Sequence, residues 1–133
     1  MKYRSGYKYQ LHEDYVVQTN IYPPRRIADH GFIRLDHSGM LTIKAGYAWD
    51  GPSGPSIDTR NFMRGSLVHD ALYQLMREGL IDLGWRETAD QELRRICLED
   101  GMSAIRAWWV YKGVRIGGER SAVWQEPNVL VAP

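Results

Sequence analysis

Phe62-Met63-Arg64-Gly65-Ser66-Leu67-Val68-His69-Asp70-Ala71-Leu72-Tyr73-Gln74-Leu75-Met76 is the stretch on which the fold turns. Phe62, Met63, Leu67, Val68, Ala71, Leu72, Leu75 and Met76 place apolar side chains around much of a helical circumference, so the segment reads as a central, largely buried helix. The pattern predicts a start near Asp58 or Thr59, either able to cap it, and an end at about Glu78, where Gly79 is a natural stop. Inside this apolar run lies His69-Asp70, with Tyr73 one helical turn on. Ionisable groups in such a place are costly to bury without partners.

The helical pattern continues C-terminally. Thr88-Ala89-Asp90-Gln91 matches a capping box and is expected to start a second helix, which Gly101 ends. Leu93, Ile96, Cys97 and Asp100 follow Asp90 at helical spacings, so Asp90 shares a face with apolar residues. A third helix is expected from Ser103 to about Ile116, carrying Ile105, Trp108, Trp109 and Val114 and stopping at Gly117-Gly118.

N-terminally the period changes. Tyr15-Val16-Val17-Gln18-Thr19 is rich in β-formers and Pro23-Pro24 closes that segment. Phe32-Ile33-Arg34-Leu35 and Met40-Leu41-Thr42-Ile43 flank Asp36-His37-Ser38-Gly39, which predicts a β-hairpin. Gly46 to Pro55 holds too many glycines and prolines for regular structure and reads as a shaped loop. Strands first and helices afterwards predict an α+β fold: N-terminal antiparallel strands with a hairpin, then a three-helix C-terminal half. A single domain over 1–133 is expected. Its strand-rich part is 1–46, its loop and helices 47–118, and 119–133 is a tail that packs locally or on a partner.

Composition narrows the function classes. The 133 residues are 44% hydrophobic and 25% charged, with a formal charge of +1, so no global electrostatic reason exists to expect nucleic acid or an anionic membrane, although local patches are possible. The one cysteine, Cys97, cannot form an internal disulfide, which suits a reducing compartment. No apolar run approaches a bilayer span, and no signal peptide is read at the N-terminus. Five tryptophans and eight tyrosines against two phenylalanines favour amphipathic rings at core edges or at a binding surface.

The chemistry gathers on the helices. His69 and Tyr73 lie one turn apart on the same side of their helix. If the second helix runs antiparallel to the first, Asp90 can meet the imidazole, fix its tautomer and stabilise its charged form, while the other ring nitrogen activates water. Asp70 adjoins the Gly/Pro loop, and a carboxylate beside free carbonyls is raw material for calcium, with Asp50 as a second carboxylate. Plainer readings stand beside these. His69, Asp70 and Tyr73 can form a buried network that specifies the core. An acid such as Asp90 in a first helical turn is favoured by the dipole. Asp50-Gly51-Pro52 can be turn chemistry alone, and Cys97 reads as a buried structural thiol. Trp108-Trp109 reads as core plus edge, and the histidines lack the spacings of a zinc centre.

An aromatic-x-Gly-Pro loop, His69-Asp70-x-x-Tyr73 on a helix and Ala89-Asp90 on the next together resemble phospholipase A2, most closely its disulfide-free viral-capsid type, over roughly residues 47 to 115. That resemblance implies His69 as the base activating water, Asp90 orienting it, and Tyr73 hydrogen-bonded to the carboxylates. It implies calcium bound by Asp70 with carbonyls near Trp49, Gly51 and Ser53, and ester hydrolysis of a phospholipid. Asp50 and Gly54 depart from the usual loop pattern. Residues 47 to 118, including Tyr111-Lys112-Gly113-Val114-Arg115, also look like an uncharacterised protein family of tailed phages and prophages. The expected function is a phage-encoded, metal-assisted esterase acting on the bacterial envelope. The alternative is a non-enzymatic virion or tail-associated protein that meets other phage proteins. The expected location is the host cytoplasm or the virion.

Overall fold

Ile33, Leu35, Leu41 and Ile43 alternate with polar residues and are fully buried, so the hairpin they form has one face committed to the core. A computed structural model describes residues 3–4, 9–49, 59–118 and Ala122. Among the described residues the named elements are six strands and then three α-helices: β1 Tyr3–Arg4, β2 Tyr9–Leu11, β3 Tyr15–Gln18, β4 Ile33–Leu35, β5 Met40–Ile43, β6 Ala48–Trp49, α1 Met63–Arg77, α2 Arg86–Glu99 and α3 Ala104–Gly117. The strands make two antiparallel sheets, ordered β1-β2-β6 and β3-β5-β4. This is the α+β arrangement the sequence predicts.

The β4–β5 turn follows the side chains expected of it. Asp36 Oδ1 accepts hydrogen bonds from the Ser38 and Met40 backbone amides at 3.0 Å, and Gly39 takes a φ of +89°. A Cβ at residue 39 would collide with the Thr19 carbonyl oxygen, so glycine is required there for space as well as for backbone conformation.

One core runs from the sheets into α1. Leu11, Leu35, Leu41 and Ile43 pack in the same cluster as Leu67, Leu72 and Leu75. A smaller cluster of Leu93, Cys97, Met102 and Ala107 joins α2 to α3. A buried carboxylate fastens α2 to the strand half: Glu92 accepts from the Asn20 backbone amide at 3.2 Å and from Arg95 at 3.0 Å.

Four expectations change. Trp49 and Ala48, read as loop, pair with β2 instead, with Tyr9 opposite Trp49. Two-residue strands are too short to show a period, and Gly46, at a φ of +99°, reverses the chain just before them. Helix α1 starts at Met63 after a 3₁₀ turn over Thr59–Asn61, and Phe62 precedes it without a side-chain cap. Helix α2 starts at Arg86, after a 3₁₀ turn over Leu83–Trp85, so Thr88 lies inside it and caps nothing. Helix α3 does follow its cap, Ser103, whose hydroxyl accepts from the Arg106 amide at 3.2 Å. Its outer face, however, leaves Trp108 and Trp109 both exposed, where core plus edge was expected, with Ile105 exposed beside them.

Candidate functional site

The start of α2 at Arg86 moves Asp90 beyond the helix's first turn, which removes the capping explanation for an acid there. Its side chain has no exposure to solvent and meets three donors. His69 Nε2 lies 2.7 Å from Asp90 Oδ1, and the Tyr73 hydroxyl donates to the same oxygen at 2.6 Å. Arg115 Nη1 donates to Oδ2 at 2.9 Å. Helix α1 therefore supplies two partners from one face, α2 the acceptor, and α3 the cation. The rings of His69 and Tyr73 lie 4.1 Å apart, centroid to centroid, as their one-turn spacing dictates.

Electrostatics set the protonation of this group. Burial by itself would raise the Asp90 carboxyl, but the hydrogen bonds from His69 and Tyr73, the His69 charge and the Arg115 hydrogen bond outweigh it, and the acid is held below the usual carboxylate range. Burial raises the Tyr73 phenol, and its bond to the Asp90 carboxylate raises it further, so it stays a donor. An ionised carboxylate only accepts. His69 Nε2 must then carry the hydrogen in the neutral ring, which leaves the lone pair on Nδ1. Among the described residues, none hydrogen-bonds to Nδ1. His69 is 8% exposed, so the ring is nearly enclosed.

Supporting contacts fix the frame. Arg86 Nη2 donates to the carbonyls of Val114 at 3.2 Å and Arg115 at 2.7 Å, satisfying the C-terminal end of α3 beside the residue that reaches Asp90. A Cβ at Gly118 would come within 2.8 Å of the Tyr73 hydroxyl, so the backbone there closes over the phenol. On the other side, the Trp49 indole N–H donates to Ser66 Oγ at 3.0 Å, and Ser66 donates to the Met63 carbonyl at 2.9 Å. The chain thus enters the Gly/Pro loop one helical turn from His69.

The sequence-derived residues separate into two groups. His69, Tyr73 and Asp90 come together. Of the expected calcium donors, Asp70 is half-buried beside His69 on α1, and Trp49 ends β6 with its indole buried; Asp50, Gly51 and Ser53 lie outside the described residues. Among the described residues no three His, Cys, Asp or Glu side chains gather as a metal centre. Arg115 is the participant that side-chain reasoning missed, although it stands in the Tyr111–Arg115 segment of the phage-family resemblance. Its signal was indirect: a carboxylate on an apolar stripe calls for a cation, and α3 offers Arg106, Lys112 and Arg115. His30 is largely covered, and its Nδ1 accepts from the Phe32 and Ile33 amides at 3.0 Å.

Residues 27–114 match the model of a family described as "Protein of unknown function (DUF1353)". The match spans well over half of the chain, so the chain belongs to that family. No curated protein and no solved structure matches it significantly.

Proposed function

We propose that this member of the DUF1353 family is a hydrolase in which His69 is the general base. The observation that carries the reading is the donor set of Asp90: it leaves His69 Nε2 protonated and its Nδ1 lone pair without a partner among the described residues. Nδ1 takes a proton from water as the oxygen attacks an ester carbonyl, Asp90 stabilises the imidazolium that forms, and the imidazolium returns the proton to the alcohol oxygen as the acyl C–O bond breaks, releasing alcohol and acid. Tyr73 and Arg115 hold the carboxylate so that it cannot rotate away from the ring. The substrate class follows the phospholipase A2 resemblance: an ester of the bacterial envelope, a phospholipid first, with the protein encoded by a phage.

Calcium is a separate part of the proposal. Asp70 would hold the ion, together with Asp50 and the carbonyls of Trp49, Gly51 and Ser53. When bound, the ion would polarise the ester carbonyl. The steps assigned to His69, Asp90, Tyr73 and Arg115 do not pass through it.

A second reading has its own observation. Asp90 is fully enclosed and His69 nearly so, as in a buried brace of a non-enzymatic virion or tail-associated protein. One experiment separates the two: phospholipid hydrolysis by wild type, His69→Ala and Asp70→Asn, with and without chelator. The esterase reading expects fatty-acid release that falls at least about a hundredfold in His69→Ala. The calcium part expects chelator and Asp70→Asn to reproduce most of that loss. Equal rates for wild type and His69→Ala would sink the catalytic role and leave the brace.

A further inference from the structure

Helix α3 turns one side to the protein and leaves the other bare. Ala107 is buried against α2, and Val110 and Val114 pack beside it. On the opposite side Ile105 is 72% exposed, Trp109 65% and Ile116 82%, with Trp108 41% exposed at the margin. These residues fall on one arc at helical spacing, so they make a continuous apolar and aromatic stripe. Every charge on the helix is positive: Arg106, Lys112 and Arg115 lie between residues 104 and 117, with no acid among them. Lys112 projects from the stripe itself, its ammonium 5.6 Å from the Trp108 ring, which in turn meets Trp109 edge-on at 5.1 Å. Arg115 turns inward to Asp90.

We infer that this stripe seats the protein on an anionic lipid surface. Indole rings with isoleucines favour the boundary between acyl chains and headgroups, where an apolar body and a polar N–H are both accommodated. A helix lying in that plane buries its apolar side and keeps Lys112, the cation on the stripe, at headgroup depth, where acidic lipids attract it. A protein partner would be expected to meet Lys112 with a carboxylate. A bilayer surface needs only anionic headgroups beside hydrocarbon, which is what this mixture of side chains matches. The inference goes beyond the esterase proposal and stands without it, because a helix can dock whether or not His69 turns over.

The full chain, mixed with phosphatidylcholine vesicles and with phosphatidylcholine–phosphatidylglycerol vesicles, tests the assignment by co-flotation and tryptophan fluorescence. Expected are preferential binding to the phosphatidylglycerol vesicles, a blue-shifted emission, weakening with salt, and a loss of roughly tenfold or more in Trp109→Ser/Ile116→Ser. Those side chains are exposed, and a circular dichroism spectrum matching wild type is the check that the variant folds. His69→Ala is expected to bind like wild type, so failed docking and failed hydrolysis are told apart. Absence of binding to the anionic vesicles, or unchanged binding by the double variant, overturns the inference. Self-association that the double variant abolishes, with no vesicle binding, also overturns it and assigns the face to a second copy.

Discussion

Asp90 concentrates the consequences at the scale of one residue. Its ionised form satisfies three donors in a place closed to water, so Asp90→Asn would turn an amide N–H toward either Tyr73 and His69 or Arg115. Breaking one side of such a buried arrangement costs about 3 kcal/mol, measurable by urea denaturation at neutral pH. The pH dependence has a definite sign. The folded carboxyl lies below its ordinary value of 3.8, so its stabilising contribution is fully present above that pH. It is lost as pH falls through the lower folded value. The stability difference between wild type and Asp90→Asn is therefore expected to hold from neutral pH to about 4 and to close below it. The meeting of His69 with Asp90 was legible because each acid or base stands on an apolar stripe. Arg115 was less so, since an arginine near a helix end reads first as a complement to the dipole.

At the scale of elements, the α1–α2 seam is set by a residue with no side chain. A Cβ on Gly65 would stand 2.9 Å from Cys97 Sγ and from Leu93 Cδ1, and 3.3 Å from the Leu93 carbonyl oxygen. Leucine's tip can move, but the sulfur is short-tethered and the carbonyl belongs to the helix, so the two helices must separate. Gly65→Ala gains up to about 1 kcal/mol of helix propensity and loses about 1–3 kcal/mol of packing. A net destabilisation of about 1 kcal/mol is expected in thermal or urea unfolding. The three helices and the β4–β5 hairpin were readable from period and turn chemistry. Strands β1, β2 and β6 were not, because two or three residues show no alternation and their pairing joins distant parts of the chain. The start of α2 was misread because Thr88 imitates a cap, while the preceding 3₁₀ turn had already begun the winding.

Across the whole molecule, Cys97 reports whether the helices stay together. It lies on α2, enclosed by Gly65 of α1 and the α3 side of the cluster, and burial, reinforced by Asp100, pushes its thiol up to about 12. In the native protein at mildly alkaline pH, a disulfide reagent is expected to react with it at least ~100-fold more slowly than in denaturant. Ala107→Glu, which places a charge in the α2–α3 seam, is expected to remove most of that protection. The same seam decides when the site becomes complete. Asp90 gathers His69 and Tyr73 from behind it in the chain, but Arg115 lies 25 residues ahead. On the ribosome, the base and its carboxylate are therefore synthesised before the cation that clamps them. Helix α3 is the latch, and a nascent chain carries an unfinished site until it swings home.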